Sequence, residues 1–383
     1  MPSVHTFLAT AGLLSLGFAA GYSLLTLAAV VIWRHRGGAA TANPAAPVTV
    51  LKPLCDAEPG LYEHLRTFCR QEYETYQLVF GVRDRNDSAL EVVSRLVTEF
   101  PHLQIDVVVD SALHGKNYKI SNLINMLRSA RYDWLVVADS DTWVGPDYLR
   151  SVTAPLQDPA VGLVTCVYRG VPTARITSRL GAMYLNEWYM PSVLVSRLLG
   201  YQGYASGQTM CLRRDVLESI GGLHAIRNHL ADDFRLGELV RGAGLKNHIS
   251  RYWVAAQHHE PNLRSLIRHE LRWMHTLRVL RPRSFAMLFL SFSLPLAVLG
   301  LCLSAGQSGL AAVAWGLFGV ALAARLWIHC FHRGREERPM WSDFWLLPVR
   351  ELLMLGVWGA CFFTSRVQWR GSAFDVDADG IMR

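Results

Sequence analysis

From residue 7 to residue 33 the chain carries no charge, a longer run than the roughly 20 apolar residues that cross a bilayer. Three further apolar blocks follow late in the chain, at 284–305, 309–331 and 344–363. The last contains Arg350 and Glu351, so it reads as a packed helix, a re-entrant segment or an interfacial one. Between the first block and the others, short apolar runs alternate with helical patterns. Residues 48–51, 77–82, 105–109 and 134–138 are rich in Val, Ile and Leu and read as strands; 61–68, 89–100 and 120–130 read as helices. That alternation predicts an α/β domain with a parallel sheet covered by helices. The tract 37–47, rich in Ala, Gly and Pro, reads as a linker. The expected organisation is an anchor at 1–36, the linker, a domain at 48–283 ending in an amphipathic interface helix, apolar helices at 284–363 and a tail at 364–383.

A cleaved signal peptide is the other reading of the first block, with Ala40-Thr41-Ala42 as a small-residue site. No Lys or Arg precedes the apolar run, which favours a retained anchor. Arg34 and Arg36 follow the first block and Arg333, Arg335 and Arg338 the third, while 306–308 has no charge. By the positive-inside rule the large domain faces the cytoplasm. The formal net charge of +7 is met by such flanking arginines, and no nucleic-acid partner is expected. The 7 cysteines form no C-x-x-C pair, so they read as thiols in a reducing compartment.

Three acidic clusters carry the candidate chemistry: Asp84, Asp139-Ser140-Asp141 and Asp232-Asp233. The first two directly follow expected strands, where open α/β sheets bind ligands. On an extended chain Asp139 and Asp141 point the same way and can share a divalent cation. Asp232-Asp233 opens a helical pattern, so one acid is expected to cap the helix and the other to act as a base. Arg264, Arg268 and Arg272 recur every four residues, with Leu263, Leu266, Ile267 and Leu271 on the apolar side, as in a helix on a membrane surface. His258 and His259, beside Glu260, suit either a metal or phosphate contact or an exposed strand or loop. Tyr184, Trp188 and Tyr189 suit either an apolar acceptor groove or packing.

These residues carry a resemblance. Val50-Leu51-Lys52-Pro53-Leu54, Gly81-Val82-Arg83-Asp84, Asn117-Tyr118-Lys119, Asp139-Ser140-Asp141, Gly207-Gln208-Thr209, Asp232-Asp233-Phe234 and Arg272-Trp273, in that order, resemble ceramide glucosyltransferases and their bacterial relatives, nearest to the branch that glycosylates hopanoids. The resemblance spans about 48–282. It implies a GT-A fold and an inverting, Mg2+- or Mn2+-assisted transfer from a UDP-sugar to a membrane-lipid hydroxyl. For the hopanoid branch it implies N-acetylglucosamine passed to bacteriohopanetetrol; for the wider family, glucose passed to ceramide or diacylglycerol. It places Asp84 on the uridine, Lys119 near the donor phosphates, Asp139 and Asp141 on the metal, and Asp233 as the base, with Asp232 supporting it. Arg272 and Trp273 match the family's final motif, on diphosphate and acceptor. His269 stands where that motif usually begins with Gln or Arg, and Tyr118 where a proline is usual.

Two classes outside the family set contrasting expectations. A processive polysaccharide synthase shares the acidic clusters but needs a translocation channel, for which three or four spans are few. A scaffold or transporter needs polar residues lining a path through its spans, and the first three apolar blocks carry few. Arg325, near an end, is expected to snorkel.

Overall fold

The computed structural model describes residues 4–35, 46–305, 308–331, 343–363, 366–369, 372–377 and 379–383. Residues 37–45 of the expected linker lie outside that set, as do Arg36, Arg333, Arg335 and Arg338, on which the expected orientation rests. The chain forms two compact units: one of residues 37–171, 201–259 and 375–383, the other of residues 1–36, 172–200 and 260–374.

The first unit is built on the expected alternation. Strands β1 (Val48–Pro53), β2 (Tyr76–Val82), β3 (Gln104–Val109) and β4 (Trp134–Val137) are joined through α2 (Leu61–Phe68), α3 (Ala89–Glu99) and α4 (Tyr118–Leu127). β1 pairs in parallel with both β2 and β4, and β2 with β3. Crossover helices permit that direction of pairing. The sheet continues through β5 (Thr142–Trp143), β6 (Val161–Pro172), β7 (Met210–Arg213) and β8 (Lys246–His258), in the order β3-β2-β1-β4-β7-β6-β8-β5. Here the expectation of a parallel sheet needs correcting: β7 runs antiparallel to β4 and β6, and β5 antiparallel to β8. The sheet is mixed, and the change of direction falls beside β4, where the Asp139 cluster emerges.

Leu123 and Ile120 of α4 pack on Leu51, Val79 and Leu135 of the sheet, which makes α4 the buried helix of the site. Its Asn122 donates to the Gly81 carbonyl at 2.8 Å, fixing the helix against the end of β2. The 7 cysteines are all free thiols.

The second unit holds the apolar helices. α1 (Val4–His35), α13 (Ala311–Phe331) and α14 (Leu346–Ala360, extended by a 3-10 turn to Phe363) are long and apolar enough to cross a membrane. The block expected at 284–305 is broken: its two parts, Pro282–Ser291 and α12 (Ser293–Ser304), meet at 64°. Pro295 lacks an N–H, and the Leu294 N–H at the break donates to Glu351 Oε2 at 3.0 Å. Glu351 therefore satisfies a helix start that lipid leaves bare. α1 packs on α12 through glycine: a Cβ at Gly12 or Gly300 would stand 2.7 Å from the other residue's carbonyl oxygen. Such small-residue contacts let helices approach where burial in lipid gives no hydrophobic gain.

α14 is the packed helix among the alternatives its charges allowed. Arg350 donates to both oxygens of Glu270 at 2.6 Å, and Glu351 pairs with Arg325 at 2.7 Å. Arg325 is only 5% exposed and also donates to the Glu187 carbonyl, so it is buried and paired, and does not snorkel. Glu187 Oε1 lies 2.5 Å from His329 Nδ1. Glu187 belongs to a π-helical turn, Tyr184–Tyr189, between α6 (Ile176–Met183) and α7 (Met190–Leu198).

Candidate active site

The acidic clusters at Asp139 and Asp232 converge in the first unit on one lysine. Asn117 caps α4 by accepting from the Ile120 N–H at 3.0 Å, the ordinary service of a short polar side chain at a helix start. Lys119, in the first turn, reaches Asp139 Oδ1 at 2.6 Å and Asp232 Oδ2 at 3.6 Å. Burial alone would lower the Lys119 ammonium, but Asp139, Asp232 and Asp233 outweigh it and hold it above the usual lysine range. Over this group passes the Gly207 backbone: a Cβ there would lie 3.0 Å from Lys119 Nζ, 3.2 Å from Asp139 Oδ2 and 3.7 Å from Asp233 Oδ2.

Asp232 and Asp233 open α9 (Asp232–Gly242), yet neither is its cap, because Ala231 holds that position. This corrects the expectation that one of the two acids caps the helix. Asp233 Oδ2 accepts from the Gly207 N–H at 2.9 Å and Oδ1 from the Phe234 N–H at 2.7 Å. Burial, then the neighbouring Asp232 charge, raises the Asp233 carboxyl to about 6 against the pull of Lys119. Asp232 Oδ1 accepts from the Asn117 side chain at 3.4 Å. A carboxylate held near 6 is a competent proton acceptor close to neutral pH.

Asp139 and Asp141 do not alternate on an extended strand as expected; Ser140 and Asp141 form a turn between β4 and β5. Asp139 keeps one oxygen on Lys119. Asp141 Oδ1 is shut off from solvent and meets no hydrogen-bond donor. Burial first, then the Asp139 and Glu58 charges, raise Asp141 to about 7. A bare, hard oxygen among like charges fits a divalent cation, with Asp139 as its neighbour on the same turn.

Asp84 follows β2 and is exposed, its Oδ1 accepting from the Asn86 N–H at 2.9 Å. Beside it the Arg83 guanidinium lies 4.4 Å from the Tyr118 ring centroid. Tyr118 therefore ties the end of β2 to the start of α4, a contact that the usual proline would not make.

Sequence reasoning gave no role to Lys52. It ends β1 fully buried, with Nζ 2.5 Å from the Asp139 carbonyl oxygen and 3.8 Å from the Phe68 ring centroid. Burial lowers it to about 7, opposed by Asp141 and Asp139. Lysine is almost never fully buried without a partner, but that signal is invisible until the strand's burial is known. Asn117 was quoted in the resemblance without a role. It also donates to the His229 carbonyl at 2.9 Å, joining α4 to the loop before α9.

His269, Arg272 and Trp273 lie in the second unit, on α10 (Leu263–Leu280). Its buried face carries Leu266, Glu270 and Met274, while Leu263 is exposed, so the expected apolar side is shifted toward the Arg350 partner. Arg264 and Arg268 are exposed and Arg272 is half-buried. His269 Nδ1 lies 2.8 Å from Glu260 Oε1, and its ring is 4.1 Å from that of Trp273. Trp273 stacks on Tyr184 at 5.2 Å. Tyr184 and Trp188 are themselves buried, and Trp188 Nε1 donates to Ser291, so this aromatic stripe is packing. His258 is buried at the end of β8. Among the described residues the one group of three metal-ligand side chains is Cys55, Asp56 and Asp87, which includes neither His258 nor His259.

Residues 14–382 match the model of Glycosyl transferase family 21. The chain belongs to that family. Ceramide glucosyltransferase 1 of Caenorhabditis elegans is 24% identical over 212 residues, 55% of this chain and 45% of that protein. Ceramide glucosyltransferase 3 of the same organism is 24% identical over 228 residues, 59% of this chain and 50% of that protein. The chain thus spans about half the length of the curated relatives it matches. A mannosyltransferase from Pyrobaculum calidifontis, solved with GDP-Man and Mn2+, is similar over 90% of this chain and 99% of its own, with a TM-score of 0.54 and 20% identity. At that identity the likeness shows the fold alone, and this family 21 chain has the GT-A fold expected of its sequence.

Proposed function

We propose that this family 21 chain transfers a sugar, with inversion, from a UDP-sugar to the hydroxyl of a membrane lipid, and that Asp233 removes the proton from that hydroxyl. The observation that carries this reading is the raised Asp233 carboxyl, held by the Gly207 and Phe234 N–H groups and coupled through Lys119 to Asp139. Inversion requires attacking oxygen, anomeric carbon and leaving oxygen in line, so base and metal must serve opposite ends of the sugar. Distinct acids meet that need. Asp139 and Asp141 would hold a divalent metal, which would supply positive charge to offset that developing on the leaving diphosphate.

The other steps belong to the chain's own residues. Asp84, exposed beyond β2, binds the uridine. Lys119 holds Asp139 and places a positive charge beside the donor phosphates. Asp232 keeps Lys119 and Asn117 in place, so that Asp233 stays on Gly207. Arg272 binds the diphosphate and Trp273 the acceptor, both set by α10, with His269 orienting Trp273 through its ring contact. Arg34 after the first apolar block and the resemblance to bacterial relatives support a catalytic domain that faces the cytoplasm at a bacterial inner membrane.

For the transferred pair, the residue resemblance favours N-acetylglucosamine and bacteriohopanetetrol. The curated relatives, named as ceramide glucosyltransferases, favour glucose and a ceramide-like lipid. One competition separates them: purified protein with Mn2+, bacteriohopanetetrol, ceramide and equal UDP-glucose and UDP-N-acetylglucosamine, read by mass spectrometry of the lipids. An N-acetylhexosamine on the hopanoid supports the first pair, and a hexose on ceramide the second. No adduct on any lipid, or a polymer, overturns the reading.

A further inference from the structure

We propose that the hairpin of residues Asp375–Arg383 is a positioning strap for the acid pair at the start of α9, a role that rests on the proposed function of Asp233. Although it follows the apolar helices in sequence, this segment belongs to the same compact unit as the sheet. Asp377 builds it. Its carboxylate accepts from the Asp379 and Ile381 N–H groups at 3.1 and 3.0 Å and from the Arg383 guanidinium at 2.9 Å. Gly380 supplies the positive φ of 79° that the turn needs.

The hairpin then pairs with the loop before the acids. Ile381 bridges His229 in antiparallel fashion, the Leu230 N–H donates to the Gly380 carbonyl at 3.0 Å, and the Met382 N–H donates to the Asn228 carbonyl at 2.8 Å. Met382 is 2% exposed, so the contact is packed as well as hydrogen-bonded. The opposite side of the same loop is held by the turn before α4. There the Asn117 N–H donates to the Arg227 carbonyl at 2.9 Å, and Lys116 N–H to Asn228 Oδ1 at 2.9 Å. Residues 227–230 are thus a turn segment, held between the turn that leads into Lys119 and the hairpin. Only Ala231 separates that segment from Asp232-Asp233. Without its outer partner the segment is held on one side alone, and the acids it delivers lose their fixed distance from Lys119 and Gly207.

Two variants test this in the otherwise full chain: deletion of 375–383, and Met382→Asp, which puts a charge where Met382 is buried. Hydrogen exchange is followed at 227–236, and kcat and the donor KM are measured separately. We expect exchange at 227–236 to rise at least 10-fold while β1, β2 and β4 keep their protection. We also expect kcat to fall at least 10-fold with the donor KM within about 3-fold, and a synthetic peptide of residues 372–383 to restore kcat to the deletion variant saturably. Unchanged exchange, unchanged kcat, or protection lost equally across β1–β4 overturns the strap. Should the intact chain transfer no sugar, the function of Asp233 falls by itself, and the exchange data still decide whether the hairpin orders the acids.

Discussion

As the proposed base, Asp233 sits in surroundings that set a pH limit. A base works only when ionised, and burial beside Asp232 lifts this carboxyl to about 6. The kcat profile should therefore fall as the pH drops through about 6, the proton then sitting on Asp233 before the acceptor arrives. Asp233→Asn should cost about 10²–10⁴-fold in kcat and remove that acid limb while leaving UDP affinity within about 3-fold, as read by calorimetry. Loss of UDP binding in this variant would count against the base assignment. Gly207 makes a second test at this scale. A methyl group there meets Lys119 Nζ at 3.0 Å and Asp139 Oδ2 at 3.2 Å, closer than a relaxed contact allows. Gly207→Ala should lower kcat at least 10-fold by parting Lys119 from Asp139, with far-ultraviolet dichroism unchanged.

Among elements, the buried ion pair between α10 and α14 is the sharpest case. Arg350 and Glu270 are each about 1% exposed and meet in two hydrogen bonds. Removing one partner leaves an uncompensated charge, which costs about 3–5 kcal/mol, whereas replacing both with apolar residues is often neutral. Arg350→Met should therefore lower the unfolding temperature in detergent sharply, and Arg350→Met with Glu270→Leu should recover most of the loss. The same elements show what the sequence disclosed. β1–β4 were legible as short runs rich in Val, Ile and Leu, and α2–α4 as helical patterns between them. β8 was not, since Lys246, Asn247, His248 and Arg251 break up its apolar pattern, and its place between β6 and β5 in the sheet makes it a strand. Asp139, Asp141 and Asp233 were visible as short acidic motifs. Lys52 and Gly207 were not visible as working residues, because a lysine ending a strand and a glycine in a loop gain meaning only from what lies within 4 Å of them.

For the molecule as a whole, the Asp375–Arg383 hairpin constrains how the chain threads a membrane. It folds into the unit that holds the sheet, and so do residues 201–259, so the chain leaves that unit at about residue 260 and returns to it at 375. Both points must lie on one side of the bilayer, and an even number of crossings must separate them. Three apolar stretches lie between: the bent pair Pro282–Ser304, α13 and α14. A straight reading of three spans would strand the hairpin on the wrong side. The bent pair is the one to exclude, because neither half is long enough to span at 1.5 Å per residue and the 64° break is satisfied by Glu351. We therefore expect α1, α13 and α14 to cross and the bent pair to re-enter. Single cysteines on a thiol-free background, at Ser88 in the catalytic domain, Asp379 in the hairpin and Ser308 in the short link between α12 and α13, would be probed with a membrane-impermeant maleimide in sealed vesicles. All three should label from the same side. Labelling of Ser308 from the opposite face would show that the bent pair spans, and evenness would then require α13 or α14 to stop short of crossing.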